Sequence, residues 1–114
     1  EDEAIYGLGQ YQNGIMNYRG KSVLLLQANM DIVNPFLIST NGYGVLWDNY
    51  SSTKFEDTKE GYSFTSEVGD ASDYYFAYGK NMDEVVAGHR ELTGDVPMFG
   101  KWVYGFWQSK ERYK

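Results

Sequence analysis

The sequence predicts a mainly β protein: part of an antiparallel β-sandwich, one α-helix near the C-terminus, and a further aromatic strand at the end of the chain. Three observations support this. Up to about residue 79, short runs of β-branched and aromatic residues alternate with glycine, asparagine and aspartate, a pattern typical of antiparallel sandwiches. Residues 81–94 carry apolar side chains at helical spacing. Residues 101–113 begin with an aromatic stretch that is apolar on both faces of a strand.

The strands are bounded by turn residues. We predict strands at residues 4–8, 15–18, 22–27, 36–40, 43–47, 53–56, 62–67 and 72–78. Asn41-Gly42 lies between two of them and predicts a two-residue type I′ hairpin, because both central residues of that turn need a positive φ. In the last strand, Tyr74, Phe76 and Tyr78 share one face, which we expect to pack in the sandwich core.

One helix follows the strands. Asn81 can cap it, with Glu84 at the third helical position, and Gly94 suits its end. Gly88 inside the helix costs about 1 kcal/mol relative to alanine, which suggests close packing against a neighbour. His89 is the only histidine, and with no second histidine and no cysteine in the chain it is interpreted as a packing residue.

The last segment resembles a strand of a larger sheet. Its aromatic start is followed by polar residues from Gln108 to Arg112, and barrel strands of enzymes turn polar in this way at the carboxyl end, where substrates bind. We therefore expect the chain to be a fragment whose last strand belongs to a barrel that is missing here.

Composition limits the functions that need to be considered. The net charge of −6 leaves no basic patch for phosphates, so we expect no nucleic-acid partner. No apolar run approaches the length of a membrane span, and we expect no membrane partner. The absence of cysteine excludes thiol nucleophiles and zinc sites built on sulfur. We predict no metal and no cofactor, and the cellular compartment, periplasmic or cytoplasmic, stays open.

No catalytic residue is predicted in the chain. The adjacent carboxylate pairs point to opposite faces of a strand, or about 100° apart on a helix, so they cannot act on one bond. These pairs are Asp2 with Glu3, Glu56 with Asp57, and Asp83 with Glu84.

Several short motifs, taken in order, resemble glycoside hydrolase family 31, and especially its bacterial α-xylosidases and α-glucosidases. These motifs are Tyr6–Gln10, Asn34–Phe36, Thr40–Asn49, Leu92–Gly94 and Gly105–Ser109. The resemblance implies a domain order. Residues 1–80 correspond to part of an N-terminal β-sandwich, 81–100 to a connecting helix and linker, and 101–114 to the start of a (β/α)8 catalytic barrel. It also implies a retaining mechanism with two catalytic aspartates, for which no residue of this chain is a match.

The same resemblance points to carbohydrate as the substrate and to four substrate-binding residues. A sandwich loop of the family reaches over the barrel mouth, and its counterpart lies within Leu26–Asn34, where Gln27, Asn29 and Asp31 offer hydrogen bonds. Asp31 is the first candidate, because a carboxylate accepts two hydroxyl hydrogen bonds, and Asn29 is the second. In the barrel strand, Trp107 either stacks on a sugar or fills the barrel interior, and Glu111 lies where relatives line the subsite of the cleaved sugar.

Two functions remain open. The first is an inactive part of an α-glycosidase that shapes the substrate pocket of its parent. The second is a free-standing carbohydrate-binding β-sandwich module, which the aromatic content of 18% favours. An incomplete sandwich exposes apolar edges, so we expect oligomerisation as an artefact of the truncation.

Overall fold

The chain forms two antiparallel sheets with one helix packed outside them, which confirms the mainly β, sandwich-type prediction. The structure is a computed structural model that describes residues 2–110 and 112. Seven strands precede the helix: β1 Ile5–Gln10, β2 Ser22–Leu25, β3 Ile32–Ser39, β4 Tyr43–Trp47, β5 Thr53–Thr58, β6 Gly61–Ser66 and β7 Tyr74–Tyr78. Helix α1 spans Met82–Thr93, and a 3₁₀ helix spans Lys101–Tyr104. None of the helices within the described ranges is long and apolar enough to cross a membrane.

The core lies between a four-stranded and a three-stranded sheet. The larger sheet has the order β1-β3-β4-β7, and the smaller has the order β2-β5-β6. Ile5, Leu37 and Val45 of the larger sheet form one buried cluster with Leu25 and Phe55 of the smaller sheet. The larger sheet has one strand more than the smaller sheet that it faces. The smaller sheet does not cover β7, so the sandwich is open on that side.

The strand predicted at residues 15–18 does not form. Its backbone makes a single strand-like bond, from the Tyr18 N–H to the Ile5 carbonyl oxygen at 2.8 Å. The Asn17 side chain replaces the rest of a ladder, since its Oδ1 accepts hydrogen bonds from the N–H groups of Ile5 and Arg19, each at 3.0 Å. Local bonding by an asparagine side chain competes with strand pairing in this way.

Strand β3 begins at Ile32, four residues before the predicted start. The intervening residues include Pro35, which cannot donate to a ladder. Pro35 is tolerated because it lies opposite the irregular stretch of β1, where the register shifts between Gly7 and Gly9, and because β4 pairs only from Phe36 onward. A proline within a central strand is therefore confined to an unpaired position.

The hairpin between β3 and β4 is present, but its turn differs from the prediction. Ser39 pairs with Tyr43, so three residues form the loop, and the Gly42 N–H donates to the Ser39 carbonyl oxygen at 3.1 Å. Only Gly42 has a positive φ, of 80°, whereas a type I′ turn would need one at Asn41 as well. The three-residue loop prevails because the Gly42 carbonyl oxygen also accepts a hydrogen bond from the Gly79 N–H at 2.9 Å, which ties the turn to the end of β7.

The aromatic residues of β7 share one face as predicted, but they are not buried in the core. Tyr74, Phe76 and Tyr78 are 59%, 62% and 77% exposed. Their register partners on β4 are Trp47, Val45 and Tyr43, whose side chains face the smaller sheet. The three rings therefore lie on the core-facing side of the larger sheet, beyond the edge that the smaller sheet covers.

Helix α1 agrees with the prediction in its bounds and its cap. The Asn81 side chain accepts from the Glu84 N–H at 3.0 Å, and Gly94 follows the last turn with a φ of 87°. Val85 is fully buried, and His89 stacks on Phe36 with the ring centroids 4.1 Å apart. His89 is thus a packing residue, and burial, followed by the charge of Arg90, lowers its pKa. Gly88 faces Ala77 with room for a methyl group, so the expected close packing at Gly88 is not found.

The aromatic strand predicted from residue 101 is replaced by the 3₁₀ helix, in which the Val103 N–H donates to the Gly100 carbonyl oxygen at 3.0 Å. A barrel strand obtains its backbone hydrogen bonds from neighbouring strands. No strand within the described residues pairs with this segment, so its backbone forms local bonds instead. Residues 111, 113 and 114 of the predicted strand lie outside the described residues.

Candidate substrate-binding site

The predicted sugar-facing loop is a tight turn that carries the chain from the smaller sheet to the larger one. Ala28 and Asp31 form an isolated antiparallel bridge, with the Asp31 N–H donating to the Ala28 carbonyl oxygen at 3.2 Å. Asn29 and Met30 occupy the tip, and Met30 has a φ of 71°. A positive φ at a non-glycine residue is uncommon and is concentrated at functional sites. We call residues 27–33 the crossover hairpin.

Gln27 holds the crossover hairpin in shape. Its Nε2 donates to the Asp31 carbonyl oxygen at 2.8 Å, and its Oε1 accepts from the Val33 N–H at 3.1 Å. Both ends of the amide are therefore used within the hairpin. Gln27 was expected to offer hydrogen bonds to sugar; in the structure its amide instead bonds the backbone at Asp31 and Val33. Sequence spacing carries no signal for this role, since the bonds depend on the turn geometry.

Asn29 and Asp31 are left with free polar atoms. Asn29 is exposed at the tip and Asp31 is half-buried beside it. Within residues 2–110 no side-chain hydrogen bond of either residue is found. The pKa of Tyr11 is raised to about 12. Burial is the largest cause, the electrostatic effect of Tyr18 is the second, and the charge of Asp31 is the third. The pair thus presents an amide and a carboxylate, which together can donate to and accept from the hydroxyl groups of a neutral polyol.

A cleft of about 380 Å³ lies at the base of the crossover hairpin, between it and the loop that follows β4. Its walls are mostly apolar, from Leu25, Val33, Pro35 and Leu46. Asn49 and Ser51 also line it, but the Asn49 Oδ1 accepts from the Ser51 N–H at 2.8 Å and from the Ser51 Oγ at 2.7 Å. Because Asn49 and Ser51 bond to each other, Asp48 and Ser52 are the polar side chains of the cleft that a ligand could reach.

The C-terminal candidates lie on a different segment. Trp107 is 66% exposed, and its Nε1 donates to the Val103 carbonyl oxygen at 2.7 Å. Its ring lies 6.3 Å from that of Trp102, at an interplanar angle of 52°. Neither of these contacts of Trp107 involves the crossover hairpin. Glu111 lies outside the described residues.

Residues 2–110 and 112 contain no cluster of three or more His, Cys, Asp or Glu side chains that could hold a metal ion. Glu3 accepts hydrogen bonds from Ser39 Oγ at 2.5 Å and Tyr43 Oη at 2.6 Å, so its carboxylate is used within the fold.

We compared the chain with family models, with curated proteins and with solved structures. No family model matches the sequence. Over its whole length the chain is 46% identical to an α-xylosidase of Saccharolobus solfataricus, of which it covers 17%. It is also 33% identical to an uncharacterised family 31 glucosidase of Pseudescherichia vulneris, of which it covers 22%. The chain thus spans about a fifth of the length of these relatives.

The fold agrees with the sequence match. The crystal structure of a family 31 α-xylosidase from a soil metagenome, complexed with xylose, superposes with a TM-score of 0.83 at 34% identity. This superposition covers 98% of the chain and 17% of that enzyme. The chain therefore matches the N-terminal β-sandwich region of glycoside hydrolase family 31 enzymes.

Proposed function

We propose that this chain is part of a retaining α-glycoside hydrolase, an α-xylosidase or α-glucosidase acting on oligosaccharides. The catalytic aspartates belong to other parts of the parent protein, and this chain shapes the substrate pocket. The observation that carries the proposal is the identity of 46% to an α-xylosidase along the whole chain. The structure with a TM-score of 0.83, which is complexed with xylose, supports the same assignment.

The parts of the chain have separate roles in this proposal. Residues 1–80 form the sandwich, 81–100 connect it to the barrel, and 101–114 begin the barrel. In the parent enzyme the last segment gains neighbouring strands and adopts the strand conformation that its sequence favours. Trp107 and Glu111 then line the substrate pocket from the barrel side, and Asn29 and Asp31 line it from the sandwich side.

The crossover hairpin suits a wall of a sugar-binding pocket. Its shape is fixed by the two hydrogen bonds of Gln27, at 2.8 and 3.1 Å, so its tip is ordered before substrate arrives. A preorganised tip loses little conformational entropy on binding. Asp31 has two acceptor oxygens for sugar hydroxyls and Asn29 adds both a donor and an acceptor.

The test compares the chain with its parent enzyme on aryl α-xylosides and aryl α-glucosides. We expect no turnover by the chain alone and turnover by the parent. In the parent, Asp31→Ala should lower kcat/KM by about 10- to 100-fold, because a hydrogen bond to a charged group contributes about 1.5–3 kcal/mol. Glu60→Ala, in the exposed turn between β5 and β6, is the control and should leave kcat/KM unchanged. Turnover by the chain alone, or wild-type kcat/KM for Asp31→Ala, would contradict the proposal.

A carbohydrate-binding module is the second candidate, because the aromatic residues of β7 are exposed rather than buried. Tyr78 is the most exposed of them, at 77%. Saturable binding of a xylo- or gluco-oligosaccharide to the chain in calorimetry, lost in Tyr78→Ala and kept in Tyr104→Ala, would favour this function. A flat titration would exclude it.

A further inference from the structure

Strand β1 contains three successive residues with a positive φ, just before it meets the base of the crossover hairpin. Gly7, Leu8 and Gly9 have φ values of 102°, 66° and 115°. Leucine rarely adopts such a conformation, and Leu8 does so while it is fully buried in the core. A strained residue of this kind persists only where the surrounding contacts hold it, and such residues are concentrated at functional sites.

This stretch changes the register between β1 and β3. Gly7 pairs with Leu37. Two residues later, Gly9 pairs with Val33, so the single residue between the glycines lies opposite three residues of β3. The hairpin end of β3 is therefore offset by two residues from a regular ladder. Because the shift is by an even number, Leu37 and Val33 both keep their side chains on the core side of the sheet.

The backbones of β1 and β3 approach closely on both sides of Leu8. A Cβ atom at Gly9 would clash with the Ile32 carbonyl oxygen, and one at Gly7 would clash with the Phe36 carbonyl oxygen. Ile32 is the first residue of β3 and belongs to the crossover hairpin. The position of the hairpin relative to the sandwich therefore depends on the conformation of residues 7–9.

Tyr11 supports the strained residue. Leu8 is skipped in the register between β1 and β3, and its carbonyl oxygen accepts a hydrogen bond from Tyr11 Oη at 2.9 Å. A buried carbonyl group needs such a partner. The Tyr11 ring is half-buried and packs against the core cluster, which holds the hydroxyl in place. Burial, then Tyr18, then the charge of Asp31 raise the pKa of Tyr11 to about 12, so Tyr11 also lies within electrostatic range of the hairpin.

We propose that Tyr11 is a positioning residue for the substrate pocket. Its hydroxyl holds Leu8 at a positive φ, this conformation maintains the two-residue offset of β3, and the offset sets where the tip of the crossover hairpin lies. Tyr11 does not touch the substrate, and it acts through Asp31. The inference rests on the proposed function, in which Asn29 and Asp31 line the pocket from the sandwich side.

Hydrogen–deuterium exchange of the parent enzyme tests whether Tyr11 holds the hairpin. Tyr11→Phe removes only the hydroxyl and leaves the ring to pack. We expect exchange in residues 27–33 to accelerate by about tenfold, the effect of losing one hydrogen bond, while exchange in β5 stays as in the wild type. Tyr6→Phe, on the same strand, is the matched control and should leave the hairpin protected, because the Tyr6 hydroxyl forms no hydrogen bond within the described ranges. Wild-type exchange in residues 27–33 of Tyr11→Phe overturns the inference.

Kinetics of the parent on the aryl α-glycoside that it cleaves separates positioning from a general loss of stability. Tyr11→Phe should lower kcat/KM by about 3- to 10-fold, as expected for one neutral hydrogen bond. In an Asp31→Ala background the same substitution should change kcat/KM by less than about twofold, since the two residues act through one contact with substrate. A general loss of stability would instead lower activity in both backgrounds alike.

The kinetic outcomes distinguish the inference from the proposed function. A wild-type kcat/KM for Tyr11→Phe, or losses that multiply in the double variant, overturns the positioning role and leaves the proposed function intact. A wild-type kcat/KM for Asp31→Ala contradicts the role of the hairpin in the pocket, and the inference falls with it. Faster exchange in residues 27–33 together with losses that do not multiply is the result that supports it.

Discussion

At the scale of single residues, Gln27 shows how one side chain can determine the shape of a loop. Its two hydrogen bonds hold the backbone at Asp31 and Val33, which lie four and six residues further along the chain. The residues that face solvent, Asn29 and Asp31, keep their polar atoms free because Gln27 satisfies the backbone groups around them. Neighbouring residues thus have different parts: Gln27 holds the loop, and Asn29 and Asp31 present polar atoms.

We expect Gln27→Leu to loosen the crossover hairpin without unfolding the sandwich. The Val33 amide loses its acceptor, so hydrogen–deuterium exchange at Val33 should accelerate by about tenfold, the equivalent of one hydrogen bond of roughly 1–1.5 kcal/mol. Exchange at Phe55, in the core, should stay as slow as in the wild type. Asn29→Leu, in the same hairpin, is the control and should leave Val33 protected. Equal exchange at Val33 in the wild type and in Gln27→Leu would show that the side chain does not hold the hairpin.

At the scale of elements, the docking of α1 on the larger sheet depends on a glycine in β4 rather than on the glycine in the helix. A methyl group added at Gly44 would lie 2.7 Å from Val85 Cγ1 and 2.8 Å from Phe36 Cε2. One added at Gly88 would meet only Ala77 Cβ, at an ordinary 3.6 Å. The helix and the sheet are therefore packed more tightly at Gly44 than at Gly88.

We predict opposite effects for the two alanine substitutions. Gly44→Ala should lower the free energy of unfolding by about 1–3 kcal/mol, because it overpacks the contact between helix and sheet. Gly88→Ala should raise it by up to about 1 kcal/mol, since alanine is the better helix former and has space. Urea denaturation of both variants, followed by circular dichroism, provides the comparison. Destabilisation by Gly88→Ala, or none by Gly44→Ala, would place the close contact elsewhere.

Sequence patterns predicted the elements whose signals are local. The bounds of α1 follow from Asn81 and Gly94, and β4 from its flanking turns, because caps and turns are satisfied by neighbouring residues. The strand at residues 15–18 and the type I′ turn at Asn41-Gly42 were wrong, since distant groups decided them: the Ile5 backbone in one case and Gly79 in the other. Of the candidate site, the polar loop could be predicted, but the role of Gln27 could not, because it depends on the folded turn.

At the scale of the whole molecule, the sandwich is asymmetric, and this asymmetry explains the wrong prediction for β7. Alternation along the strand correctly gave Tyr74, Phe76 and Tyr78 one common face. Whether that face is covered depends on the number of strands in the opposite sheet, which has three strands against four. Local sequence cannot supply that number, since it is a property of the assembled sheets.

The two sheets are also joined by a polar network at the end of the sandwich. Glu3 accepts hydrogen bonds from Ser39 and Tyr43 of the larger sheet, and its other oxygen lies 3.7 Å from Arg19 Nη1. The same Arg19 nitrogen lies 3.0 Å from Asp57 Oδ1 on β5, in the smaller sheet. The hydrogen bonds from Ser39 and then Tyr43 lower the pKa of Glu3 below its ordinary value of 4.5. Burial raises the pKa of Tyr43, and its hydrogen bond to Glu3 raises it further.

This network should make the stability of the sandwich depend on pH in the acid range. Because the pKa of Glu3 is lower in the folded than in the unfolded chain, its contribution is complete above 4.5 and is lost as the pH falls through the folded value. Glu3→Gln should lower the free energy of unfolding by about 1–3 kcal/mol at neutral pH, since a weaker acceptor replaces the carboxylate. The difference in free energy of unfolding between this variant and the wild type should shrink when the pH falls below the pKa of Glu3 in the unfolded chain. Urea denaturation across this range measures it, with Glu60→Gln as the exposed control. A difference that stays constant with pH would show that the Glu3 charge does not join the sheets.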